Sequence, residues 1–242
     1  MDKTRRDRLL ADVDHDDSYV ARQALIALAS LVASGDAEAK AAALRAANHD
    51  DSYVARQALA VLAPLVASGD VEAKAAALRA ADHDDSYVAR QALIALTPLV
   101  ASGDAEVKAA VLRAVDCGGS YVAGQALVAL APLVASGDAE AKTVVKAAGV
   151  PVVVGLDRKI LAAVEAGGEL KMDTWHECAT THCRAGWAIT LAGEAGRLLE
   201  ERYGPAVAGS LIYAASTGQV PDFYASDEEA LADVQACAAR QQ

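Results

Sequence analysis

The chain repeats itself every 34 residues. The segment SYVARQALIALASLVASGDAEAKAAALRAA at residues 18–47 returns at 52–81 with four changes, again from Ser86, and in altered form from Ser120. A fixed period of this length constrains the fold more tightly than any bulk property. Each copy must be one supersecondary unit, unable to bury its apolar side alone, that leans on the copies before and after it.

Within a unit, Val20, Ala24, Ala27, Leu28 and Leu31 recur at three- and four-residue steps, which puts them on one face of an α-helix as the expected core stripe. The Asp17-Ser18 pair is a good N-cap, and Gly35 is the expected left-handed stop. Asp36 then caps a second helix over about 37–47, with Glu38 in its first turn and Arg45 in its last, as the helix dipole prefers. The loop Asn48-His49-Asp50-Asp51 closes the unit. From the second unit on, Pro64, Pro98 and Pro132 enter the long helix where Ser30 stands in the first; each removes one backbone hydrogen bond and is expected to bend the helix.

With that stripe inward, the long helix exposes Arg22, Gln23, Ile26 and Ala29, then Arg56, Gln57, Ala60 and Ala63, then Arg90, Gln91, Ile94 and Thr97. Stacked units align these as an Arg/Gln row beside a small apolar row, the expected partner-binding surface. A second row is formed by Asp16-Asp17, Asp50-Asp51 and Asp84-Asp85, each preceded by a histidine at His15, His49 or His83. It reads as solvated loops with helix caps, with a divalent cation or a basic partner as the alternative. In the fourth unit the loop becomes Asp116-Cys117-Gly118-Gly119 and the arginine becomes Gly124, as expected of a last repeat adapting to a cap.

Asp51-x-x-Val54 followed by Ala58-x-x-Val61-Leu62 resembles the HEAT pattern, and Pro64-Leu65-Val66 with Ser68-Gly69-Asp70 resembles the armadillo one, over about 14–146. The arginine that HEAT units place directly after the valine stands one residue later here, at Arg22, Arg56 and Arg90. The resemblance implies a right-handed α-solenoid whose grooves bind other proteins, and it implies no catalysis. We therefore expect an all-α chain: a repeat solenoid over 1–148 and a small, mostly helical cap domain over 149–242.

The C-terminal part holds both tryptophans, the sole phenylalanine Phe223, three of the four cysteines and two of the five histidines. It opens on Gly149-Val150-Pro151-Val152-Val153-Val154-Gly155, a short strand or an extended linker, and helices are expected over 157–166, 183–191, 197–203, 205–215 and 227–240. Its THCRAGW segment resembles a module of uncharacterised bacterial proteins, and no activity comes with that likeness. His176, Cys178, His182 and Cys183 are four nitrogen or sulfur groups within eight residues, the donor set of a zinc site, although adjacent His182 and Cys183 would have to turn back on one ion. Alternatively Cys183, at a helix N-terminus beside His182 and Arg184, is a nucleophile, or it bridges Cys178. The remaining reading is packing around Trp175 and Trp187. No HExxH, P-loop or glycine-rich dinucleotide loop occurs.

A net charge of −11 and a pI near 4.8 argue against nucleic acid as partner. No run of 18 apolar residues exists and Met1-Asp2-Lys3-Thr4-Arg5-Arg6 leads into no apolar signal core, so neither a membrane span nor export is expected, and the cytoplasm is the expected address. The function these features suggest is a protein-interaction scaffold without cofactor or catalysis. The alternatives are self-assembly into an oligomer or filament, and a Cys/His enzyme or metal-binding module within 170–190.

Overall fold

The computed structural model describes residues 2–117 and 120–240, with the side chains of Cys117 and Ser120 outside the description. Among the described residues it is all-helical, 73% helix with almost no strand. The chain divides into two compact units, Met1–Ala129 and Leu130–Gln242, and the dividing line falls inside the fourth sequence repeat.

The first unit begins with α1 (Lys3–Asp12), alternates long and shorter helices through α2 (Ser18–Ala33), α3 (Ala37–Ala46), α4 (Ser52–Ala67), α5 (Val71–Ala81), α6 (Ser86–Ala101) and α7 (Ala105–Cys117), and closes on the short α8 (Ser120–Ala129). Their ends are set locally. Asp17, Asp51 and Asp85 accept the N–H of Tyr19, Tyr53 and Tyr87, and Asp36 and Asp70 accept those of Ala39 and Ala73. Gly35, Gly69 and Gly103 close the long helices at φ +81 to +84°, where a side chain would be strained. The first helix of each repeat packs on that of the next, α2 on α4, α4 on α6 and α6 on α8, and the second helices α3, α5 and α7 pack beside them.

Core width follows from the number of neighbours. Helices α4 and α6, covered on both sides, bury Val54, Ala58, Val61, Leu62 and Leu65 and their equivalents, the expected stripe, and also a second one containing Ala55, Leu59 and Val66. The terminal α2 buries only Ala21, Ala24, Leu25, Leu28 and Val32. Ala27 is exposed there and Val20 and Leu31 are half-buried, against expectation, because only the short α1 and α3 complete the covering that α4 begins. Helices α4 and α6 run unbroken through Pro64 and Pro98. At Pro132 the helix is interrupted: α8 ends at Ala129, and the proline lies in the first turn of α9 (Ala131–Ser136), where its missing N–H costs nothing.

The second unit continues with α10 (Ala139–Ala147), α11 (Leu156–Glu165), the two-residue strands β1 (Glu169–Leu170) and β2 (Thr181–His182), α12 (Arg184–Leu191), α13 (Gly193–Tyr203), α14 (Pro205–Thr217) and α15 (Asp227–Arg240). The strands pair in parallel, Glu169 opposite Thr181 and Leu170 opposite His182. The valine-rich segment before α11 takes the linker form: Val153 donates its N–H to Ser216 Oγ at 2.9 Å and no ladder forms. Helix α12 is the hub, packed on α11, α13 and α14. Its closest approaches need glycine. A Cβ at Gly186 would stand 2.0 Å from the Trp175 carbonyl oxygen, and one at Gly209 of α14 would stand 2.4 Å from Ala185 Cβ.

Candidate functional site

The residues expected to form an exposed row on the first unit differ in exposure. Ile26 and Ile94 are exposed, as is Gln23, while Gln57 and Gln91 are half-buried. Arg22, Arg56 and Arg90 are half-buried too, not free in solvent, because each lies against a tyrosine in the first turn of the first helix of a repeat. The Arg22 guanidinium lies 5.6 Å from the Tyr53 ring, Arg56 lies 5.4 Å from Tyr53 and 5.9 Å from Tyr87, and Arg90 lies 4.8 Å from Tyr121. Tyr87 and Tyr121 meet edge to face at 5.3 Å. The outcome is a column in which cations and rings alternate across consecutive repeats, with Tyr53 and Tyr87 still more than half exposed.

None of these three guanidinium groups has a carboxylate partner among the described residues, and the Nε atoms of Arg22 and Arg90 are buried without a hydrogen bond. A cleft of about 290 Å³ opens at the column, lined by Ser52, Tyr53, Arg56, Asp85 and Tyr87. The tyrosines are the residues that the helical pattern alone did not single out. Their signal was nevertheless available, since Tyr19, Tyr53, Tyr87 and Tyr121 each stand directly after the serine that opens a long helix.

A second, wholly paired row joins the short helices. Lys40 reaches Asp70 at 2.6 Å and Glu72 at 2.7 Å, and Lys74 reaches Asp104 at 2.8 Å and Glu106 at 2.9 Å. Arg6 of α1 does the same for Asp36 and Glu38, so α1 stands in for a preceding repeat. The Lys40 ammonium, then the N–H of Ala73, hold the Asp70 carboxyl below the usual carboxylate range; Lys74, then the N–H of Val107, do so for Asp104. These links are surface ion pairs that fix register more than they add stability.

The histidine-aspartate loops have a structural use. His15, His49 and His83 accept, through Nδ1, the N–H of Asp17, Asp51 and Asp85 at 2.9 Å, which shapes the turn before each cap. The altered loop of the fourth unit includes residues 118 and 119, outside the described residues, and Gly124, which replaces the arginine, is buried.

In the second unit the sequence-selected residues separate by role. His176 and His182 touch through their Nδ1 atoms at 2.9 Å, across a bridge of extended backbone. His182 is buried, faces the Ala179 carbonyl with Nε2, and packs edge to face on Trp187; burial holds its pKa down, so the ring is neutral. His176 Nε2 lies 3.2 Å from Glu200. Cys183 caps α12, its sulfur accepting the Gly186 N–H at 3.4 Å, and burial pushes its thiol up, opposite to the activation expected from its neighbours. Cys178 is exposed, and hydrogen bonds from Thr180 and Thr181 bring its thiol down to about 7. Among the described residues, His176, Cys178, His182 and Cys183 belong to no group of three or more donors positioned to hold a metal ion.

Arg184 does not face Cys183. It is buried at the centre of the unit, where Nε donates to Tyr213 Oη at 2.9 Å, Nη2 to Asp157 at 3.0 Å and Nη1 to Asp233 at 2.5 Å. Tyr213 Oη in turn donates to Asp157 at 3.0 Å. Burial raises the Tyr213 hydroxyl well above the usual phenol range, so it remains a neutral donor. A cavity of about 190 Å³ lies against this network. The guanidinium that forms its floor is committed to α11, α14 and α15, so the arrangement is a structural clasp.

No family model matches the chain, and no curated protein matches it. Among solved structures, the crystal structure of an engineered protein aligns over 89% of this chain and 99% of its own, at 21% identity and a TM-score of 0.40; that likeness carries no argument. No helix among the described residues is long and apolar enough to cross a membrane.

Proposed function

We propose that the repeats of the first unit form a right-handed, HEAT/armadillo-like α-solenoid that serves as a protein-interaction scaffold, with the column of Arg22, Arg56, Arg90 and their tyrosines as its contact surface. The observation that carries this reading is the set of three guanidinium groups, one per repeat, held by aromatic rings and left without carboxylate partners, while Lys40 and Lys74 of the same repeats are paired with acids. A side chain kept rigid by stacking loses little further entropy on binding, and half-exposed tyrosines beside arginines are the composition of interface cores. Successive repeats offer the same group at a fixed step, so weak contacts add.

Site-specific photo-cross-linking tests the proposal. A benzophenone amino acid placed in turn at Ile26, Ala60 and Ile94 should yield one common protein adduct in native cells, and the same probe at exposed Leu198 on α13 should not. Adducts at Leu198 alone, or none along the row, would overturn it.

A further inference from the structure

We infer that the partner segment is an extended acidic peptide whose carboxylates recur at every third residue and dock one per repeat on Arg22, Arg56 and Arg90. The inference rests on the interaction surface proposed above and names the chemistry it reads. A guanidinium whose faces are covered by rings can still be approached along its edge, where its N–H donors lie in the plane that suits a carboxylate fork. Arg56, between Tyr53 and Tyr87, is held this way in the cleft. The carboxylate that lines the same cleft, Asp85, is engaged by the N–H groups of Tyr87 and Val88 and forms no ion pair with Arg56, so the charge of Arg56 is left for a ligand.

Spacing selects the segment. Packed helices stand about 8–10 Å apart, and a chain in the extended polyproline II form advances about 3.1 Å per residue with three residues per turn, so every third side chain returns to the same face after about one repeat. Charge selects against a continuous polyanion. The exposed carboxylates of Asp16, Asp50 and Asp84 stand at the same ends of the long helices as the tyrosines and repel anions along the row, so the residues between the docking carboxylates must be uncharged, which a nucleic-acid strand with a phosphate at every step does not offer.

The test is titration of the full chain with a labelled nonapeptide carrying glutamate at positions 2, 5 and 8 among serines and threonines. The expected result is binding about tenfold tighter than that of the peptide with glutamine at those positions, weakened by salt, and lost in the triple variant R22Q/R56Q/R90Q. A peptide with its three glutamates contiguous should bind about threefold more weakly than the spaced one, because only one repeat is engaged at a time. Should the triple variant unfold, R56K decides: it keeps charge and stem but loses the fork, and should bind the spaced peptide less well with an unchanged circular dichroism melt. Equal binding of glutamate and glutamine peptides, or tighter binding of oligothymidine through the same arginines, overturns the inference. Cross-linking at Ile26, Ala60 and Ile94 keeps the two levels apart, since a common adduct there without glutamate preference removes the acidic class and leaves the surface standing.

Discussion

The two units solve the same problem, burying helices rich in small side chains, by opposite means. The first uses one modest link many times: a cap, a glycine stop, a lysine to the next repeat's acids, an arginine on the next repeat's tyrosine. The second uses several links once each: Arg184 against Asp157, Tyr213 and Asp233, Gly186 beneath the Trp175 carbonyl, Gly209 against Ala185. A repeated link spreads the consequence of losing any one copy and leaves identical groups facing outward in register. A link used once concentrates the consequence and leaves its charged groups inward. The proposed interaction surface accordingly lies on the first unit, and the buried polar clasp on the second.

Breaking that contrast should produce effects of graded size. Arg184→Met removes the buried cation that ties Asp157, Tyr213 and Asp233 together and should cost about 3–5 kcal/mol, read as a shift in the urea midpoint of the second unit's transition. Gly186→Ala forces a methyl against a backbone carbonyl and should cost about 1–3 kcal/mol, whereas Gly69→Ala in the array meets open space and should cost only the strain of a positive φ, about 1 kcal/mol. Asp70→Ala removes a helix cap and one ladder link together and should cost about 1 kcal/mol, with Asp104→Ala the same within error because the surroundings repeat.

Acid should act on the array through those same groups. The carboxyls of Asp70 and Asp104 are held below their unfolded values, so the stability they contribute is present above the usual carboxylate range and is lost as pH falls through the depressed values, below about pH 4. A urea midpoint measured from pH 7 to pH 2 should fall in that window, and less steeply in the Lys40→Gln variant. The smallest perturbation is chemical: iodoacetamide near pH 7 should label Cys178 rapidly, with its thiol half ionised there, while Cys183 reacts only on unfolding.

Legibility in the sequence followed the same division. The period, the Asp caps, the glycine stops and the helix boundaries of the array could be read because each depends on residues within a turn or two. The width of the buried stripe could not, since Leu59 and Val66 are covered only because α4 has neighbours on both sides. Arginine exposure departs from the helical pattern for a related reason: Arg22 finds its ring on Tyr53, in the next repeat, a pairing that a helical wheel of one helix does not contain. In the second unit Cys183 looked activated by adjacent Arg184, yet the guanidinium turns toward Asp157, Tyr213 and Asp233 on three other helices, and no local spacing announces that.

Native-state hydrogen exchange on Leu93→Ala tests most directly whether consecutive repeats lean on one another. The substitution empties a fully buried position of α6. The account predicts that amide protection falls in α4 and α8 as well as α6, fades by α2, and is unchanged in α11–α15. Loss of protection confined to α6, with α4 and α8 as protected as before, would contradict it.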